Sequence, residues 1–276
     1  MNPSLPKISI LMPSYNQGLY LEAAIQSVLT QDYPDKELIV VDGGSTDSSP
    51  EIIRKYEAEL AYSVSEKDRG QAHALNKALP HATGKIIGWL NSDDAYLPGA
   101  FSKIAQAMES HPEINVVHGN RIMIDHRGDV CGWVAFAPFD PAVTGYTICS
   151  ETVFWRRKAC SDQPFNESLQ FAMDVDFFCR LYAPGRFLKL NDMIGAFRCH
   201  DASKSATIPE TAHLEGRALW REIFPDIPEG WRNSCDVSWA KKMGMLLGHP
   251  RILAYPYLRY RIRRALGKRF SGITMS

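Results

Sequence analysis

The stretch Lys85-Ile86-Ile87-Gly88-Trp89-Leu90-Asn91-Ser92-Asp93-Asp94 decides how this chain is read. Six mostly apolar residues, too few for a helix and flanked by Gly84, give way abruptly to four polar ones, two of them adjacent carboxylates. A short apolar run bounded by turn residues reads as a buried strand, so the acids fall at a strand's carboxyl end. Open α/β sheets receive their ligands there. Trp89 and Gly84 read as fold elements, Trp89 as core.

Working outward, the same unit recurs on the amino-terminal side. Residues 8–12 form an apolar strand that ends at Pro13-Ser14-Tyr15-Asn16, and Leu21, Ala24, Ile25, Val28 and Leu29 then follow at helical spacing until Tyr33-Pro34. Residues 37–41 read as a second strand. Ser45-Thr46-Asp47 starts a helix through Tyr56, residues 62–65 a third strand, and residues 70–79 a third helix. A helix over 99–110 follows the acids. Strands alternating with helices predict a mostly parallel sheet. Beyond Val116-Val117 the pattern loosens into hairpin-like material through Phe136 and a segment at 143–157 that fits no template; this second half reads as the acceptor side.

The 276 residues suffice for one large domain with an appendage, and no repeat or low-complexity tract is present. The formal net charge of zero conceals an asymmetry: residues 1–234 hold 22 Lys/Arg against 30 Asp/Glu, residues 235–276 hold 9 against 1. The boundaries follow: a body over 1–234, split at 112/113, and a basic amphipathic helical extension over 235–276. Such a tail suits an anionic surface of lipid headgroups, or else is a solvated basic face; nucleic acid is not an expected partner. The six cysteines stand singly with no zinc spacing, so reduced thiols are expected. No secretory leader or membrane span is visible, which points to the cytoplasm.

Four motifs in order, Pro13-Ser14-Tyr15-Asn16, Val40-Val41-Asp42-Gly43-Gly44-Ser45-Thr46-Asp47, Asp68-Arg69-Gly70 and Asn91-Ser92-Asp93-Asp94, together resemble the family 2 glycosyltransferases. The resemblance implies the GT-A fold, an inverting mechanism, a nucleotide-sugar donor, a Mn2+ or Mg2+ ion, and a glycan or lipid-linked acceptor in bacterial surface polysaccharide synthesis at the inner face of the membrane. It assigns Asp42 to the base, making UDP the leading nucleotide with GDP and dTDP still open. Pro13, Ser14, Tyr15 and Asn16 line the nucleotide pocket, Asp68 and Arg69 the nucleotide and phosphate side. Asp93 meets the ribose and Asp94 the metal.

Asp42 reads as a strand-end acid with no obvious structural partner, whereas Asp47 reads first as a helix cap. Within Gln170-Phe171-Ala172-Met173-Asp174-Val175-Asp176, Asp174 is the catalytic base by resemblance and Asp176 its rival; helix capping competes for the same residue. Phe197-Arg198-Cys199-His200 through Lys204 matches a late loop, with His200 a metal or phosphate contact and Arg198 and Lys204 near the diphosphate. Glu151 stands where relatives carry a neutral polar residue and is a substrate-pocket candidate. A nucleotidyltransferase lacks support because Pro13 to Gly18 has neither a glycine-rich loop nor a cation, and a dehydrogenase because G-x-G-x-x-G is missing. A binding module would need no base.

The tail yields a first prediction. The full chain should co-sediment with anionic liposomes, and a chain ending at residue 234 should not; equal partitioning of the two would remove the membrane role.

Overall fold

The structure, a computed structural model, describes residues 5–141, 148–183 and 185–223. The basic extension over 235–276, with Cys235, lies outside the described residues, as does the end of the expected body. In chain order the elements are β1 (Ile8–Ser14), α1 (Gly18–Leu29), β2 (Lys36–Asp42), α2 (Ser49–Tyr56), β3 (Tyr62–Ser65), α3 (Gln71–Ala78), β4 (Ile86–Trp89) and β5 (Ala95–Tyr96). They continue with α4 (Ala100–Ser110), β6 (Val116–Ile124), β7 (Val130–Val134), β8 (Val153–Arg156), α5 (Met173–Leu181), β9 (Phe187–Arg198), α6 (Lys204–Thr207) and α7 (Pro209–Ile223).

Nine strands join in one sheet of order β3-β2-β1-β4-β8-β6-β9-β5, with β7 paired to β6. The β3-β2-β1-β4 portion is parallel throughout. β8 then runs antiparallel to both β4 and β6, and β6 and β9 are parallel. The second half of the chain therefore extends the same sheet. Its unassignable segment contains β8, a strand seated between β4 and β6.

Each central strand is buried on both faces, which is why it reads as a continuous apolar run. Successive side chains point to opposite sides. Ile8, Ile10, Met12, Leu38, Val40 and Ile86 join α1, α2 and α4 in one core. Leu11, Ile39, Val41, Ile87 and Trp89 join α3 and α5 in the other. Trp89 is core, as expected, and its indole N–H also donates to Asn91 Oδ1 at 2.9 Å, tying the strand to the acidic loop that follows. β9 has no counterpart in the sequence reading. Its first seven residues are partly exposed or exposed, so no apolar run marks it, and Phe197 and Arg198 close this strand instead of opening a loop.

A polar staple fastens the sheet's other end. Glu37 Oε1 accepts from Ser9 Oγ at 2.5 Å and from Thr83 N at 2.6 Å, Glu37 Oε2 pairs with Lys7 Nζ at 2.6 Å, and Gly84 N donates to Ser9 Oγ at 2.8 Å. Burial works to raise the Glu37 carboxyl, yet these donors together hold it below the ordinary carboxylate range. Gly84 is needed for this contact: a Cβ would meet Lys7 O at 2.7 Å and Ser9 N at 2.8 Å. Both obstacles are backbone and cannot swing away. Gly84→Ala should therefore cost about 1–3 kcal/mol, seen as a lowered urea midpoint; an unchanged midpoint would contradict this packing.

Candidate active site

The loops that leave the carboxyl ends of β1, β2 and β4 interlock. Gly43 N donates to Ser14 O at 2.9 Å, Asn16 N to Ser45 Oγ at 2.7 Å, and Thr46 N to Asn16 Oδ1 at 2.9 Å. Asn16 adopts a left-handed φ of 52°, a conformation Asn tolerates better than most residues. Asp47 precedes the N-cap Ser48 of α2 and accepts from Ser49 N at 2.9 Å; its other oxygen accepts from Gly18 N at 2.8 Å, so one carboxylate bridges the starts of α1 and α2. Pro13 and Ser14 are buried in β1, while Tyr15 stands 61% exposed at the mouth with a free ring face.

Asp42 requires a correction. It is fully buried, and its carboxylate has structural partners: Gly44 N at 3.2 Å, Ser45 N at 2.8 Å, Ser45 Oγ at 2.5 Å and Ser65 Oγ at 2.7 Å. With both oxygens hydrogen-bonded and no exposed surface, it holds the 43–45 turn in this structure. The next position is glycine, and the Asp68 carboxylate occupies its side-chain space: a Cβ on Gly43 would lie 3.0 Å from Asp68 Oδ2. Asp68 also accepts from Gly70 N at 2.8 Å and remains partly exposed. Asp68 and Arg69 do not form an ion pair with each other; Arg69, exposed, pairs with Glu167 at 2.6 Å.

The second group surrounds the quoted acids. Asp94 is buried; its Oδ1 accepts from Arg198 N at 2.9 Å and its Oδ2 from Asn91 Nδ2 at 3.3 Å. Burial first, then Asp93 and Glu151, push its carboxyl well above the usual range. Asp93 is more open and meets His200 Nε2 at 3.0 Å. His200 also packs on Tyr20, ring centroids 4.6 Å apart. Among the described residues no three His, Cys, Asp or Glu side chains gather as a metal cage, and the His200 ring nitrogen is turned to Asp93. Mn2+ or Mg2+ needs only one or two protein carboxylates when phosphate and water complete its shell. Asp93 and Asp94 meet that requirement, and a cation beside them would relieve the repulsion that Asp94 bears.

Arg198 also departs from expectation. Its guanidinium donates to Asp93 O at 2.8 Å and Asp125 O at 3.2 Å and lies 4.8 Å over the Tyr20 ring. Buried and with Nε and Nη1 committed to carbonyls, it shapes the 93–94 loop. Lys204 is exposed; its Nζ donates to Gln71 Oε1 at 2.7 Å and Gln170 O at 2.9 Å. Gln71 in turn donates to Asn91 Oδ1 at 2.6 Å. A hydrogen-bonded chain Asn91, Gln71, Lys204, Gln170 thus joins the acidic loop to the turn before α5.

Asp174 is the second residue of α5 and is half-buried. Loss of solvation raises its carboxyl to about 6, against the Val175 amide at 2.8 Å and nearby Lys204, with Glu151 adding to the rise. Asp176 is instead clasped by Arg180, at 3.1 Å to each oxygen from Nε and 2.5 Å from Nη2. That ion pair removes it as a base. Glu151 is buried, and its partner is Arg121 at 3.1 Å, whose guanidinium lies 4.6 Å over Phe197. Arg121 and Gln71 escaped the sequence reading. The visible signal for Arg121 was a lone charge in an otherwise apolar or neutral strand; Gln71 had only its place after Asp68-Arg69-Gly70.

The described cysteines form no disulfide with one another, and no helix among the described residues is long and apolar enough to cross a membrane.

Comparison with known proteins agrees with this architecture. The family described as glycosyl transferase family 2 matches residues 9–162. Chondroitin synthase of Escherichia coli is 28% identical over 194 residues, covering 68% of this chain and 28% of that protein. The chain spans 36% and 28% of the lengths of the first two curated relatives it matches. Among solved structures, Staphylococcus aureus TarS 1–349 in complex with UDP-GlcNAc superposes with a TM-score of 0.65 at 23% identity, covering 83% of this chain and 70% of that one. Mannosyltransferase PcManGT from Pyrobaculum calidifontis, in complex with GDP-Man and Mn2+, gives 0.56 at 19% identity, covering 94% and 84%. With the sheet, the strand-end acids and a family match over more than half its length, the chain belongs to glycosyl transferase family 2.

Proposed function

We propose that this chain is an inverting transferase that moves the sugar of a UDP-sugar onto an acceptor hydroxyl. The observation that carries the reading is Asp174: a half-buried carboxyl poised at about 6, with no ion pair within bonding distance among the described residues, at the head of a helix tied to the Asp93-Asp94 loop. A base works best when its pKa lies near the working pH. Asp174 takes the acceptor proton as the hydroxyl oxygen attacks the anomeric carbon, and the bond to the diphosphate breaks on the opposite face. One carboxylate suffices, and no glycosyl-enzyme intermediate forms.

The nucleotide lies across the ends of β1, β2 and β4. Tyr15 offers its exposed ring to the base, Asp68 accepts a base N–H in place of the sequestered Asp42, and Asp93 accepts from the ribose. Mn2+ or Mg2+ would be held by Asp94 with Asp93, and would supply charge neutralisation for the diphosphate. Lys204 and Arg69 are the exposed cations on that side. The complexes of TarS with UDP-GlcNAc and of PcManGT with GDP-Man and Mn2+ support a nucleotide-sugar donor and a divalent ion. Likeness to a chondroitin synthase supports a glycan acceptor in polysaccharide synthesis. A lipid-linked acceptor at the cytoplasmic face of the membrane accords with the basic tail.

Three measurements test this. Asp174→Asn should lower turnover roughly 10²–10⁴-fold while calorimetric UDP binding in Mn2+ is unchanged; full activity would sink the base, and a pure binder would not notice the change. Because only the ionised carboxylate accepts a proton, wild-type kcat/KM should fall as pH drops through about 6 and level off above it. Asp68→Asn should weaken UDP binding about tenfold, whereas Asp42→Asn should chiefly cost stability, about 1–3 kcal/mol. The reverse pattern would return base recognition to Asp42.

A further inference from the structure

The turn that carries the base is held from outside its own helix. α5 begins after Ala172, whose side chain offers no cap, and no acid or hydroxyl on the turn itself takes the amides of 170–172. Those three successive N–H groups converge on one carboxylate from α7. Glu215 Oε1 accepts from Gln170 N at 2.7 Å, and Oε2 accepts from Phe171 N at 2.8 Å and Ala172 N at 2.9 Å. Consecutive amides turned inward form an anion-binding nest, and charge-assisted bonds of this length are the strong kind. The same turn is gripped on its carbonyl side by Lys204, which lies within electrostatic reach of Asp174, Glu215, Asp68 and Asp93. Both grips come from residues 204–215, beyond the segment matched to the family.

We infer that Glu215 is a positioning residue for the transfer reaction: by occupying the 170–172 nest it sets where Asp174 stands relative to the Asp93-Asp94 loop. The inference rests on the reading of Asp174 as the base. Its physical content is that α5 has no cap of its own. Without an acceptor in the nest, three amides lose their partner and the first turn of α5 frays, taking Asp174, its second residue, with it. The body of α5 stays in place because Phe177 and Phe178 are buried in the core. Removing Glu215 therefore displaces the base without dismantling the sheet or the nucleotide loops.

Hydrogen exchange followed by mass spectrometry on the full chain, wild type against Glu215→Ala and Glu215→Gln, tests the clamp with no substrate needed. In Glu215→Ala the amides of 170–172 should exchange on the order of tenfold faster, with the change confined to peptides over 168–176. Glu215→Gln should be intermediate, since its amide oxygen still accepts, and it serves if the alanine variant does not fold. Release of UDP from UDP-GlcNAc is the second readout. kcat should fall about tenfold to a hundredfold in the alanine variant, with KM for the donor within about twofold and the UDP affinity in Mn2+ retained. Wild-type exchange at 170–172, or altered exchange with unaltered kcat, overturns the inference. So does a loss in which KM, UDP affinity and melting temperature all move together with kcat, which marks a merely structural residue. Asp174→Asn run beside these separates the two claims. Wild-type turnover in that variant refutes the base, while the exchange data judge the clamp independently.

Discussion

The bond from the Arg198 amide to the buried Asp94 carboxylate, 2.9 Å long, is the joint on which the site depends. It ties the loop after β4, in the parallel part of the sheet, to the end of β9, in the part added by the second half of the chain. A carboxyl withdrawn from water and set near Asp93 and Glu151 is costly to ionise. The fold accepts that cost locally and keeps Arg121 as a counter-charge for Glu151. Concentrated negative potential at a strand end is what a divalent cation and a diphosphate together can neutralise.

From this joint the remaining polar contacts form a connected frame. Arg198 closes over Asp93 through its carbonyl, His200 takes the Asp93 side chain, and Asn91 passes the constraint through Gln71 to Lys204 and the turn before Asp174. Residues far apart in sequence thus share one rigid reference. A near-attack geometry is sensitive to small displacements, so the proposed base Asp174 on α5 and the acids of the 93–94 loop would need such a frame between them.

The clearest lesson lies in the residues whose roles moved. Asp42 carries the most recognisable motif position, yet it is a turn acid, because the Gly44, Ser45 and Ser65 donors close around it. Asp68, placed by its motif only on the nucleotide and phosphate side, takes the space that Gly43 leaves open. Arg198 and Asp176 look like available charges until their carbonyl and guanidinium partners are seen. A charged side chain is legible as a letter, but whether it is free is decided by neighbours that pattern does not name.

Local pattern alone determined the alternating parallel half, the buried Trp89, the helix-start place of Asp47 and the strand-end place of Asp93 and Asp94, because apolar period, turn chemistry and capping act over a few residues. Asp174 stood out by the family resemblance of its segment, with helix capping as the competing explanation for the same acid. Only the tertiary structure decided that β8 and β9 continue the same sheet, that His200 faces Asp93, and that Glu215 takes the amides of the turn that leads into α5. Strands with partly exposed faces leave no strong period, and hydrogen bonds between distant segments depend on how the sheet is wound, which no short window of sequence contains.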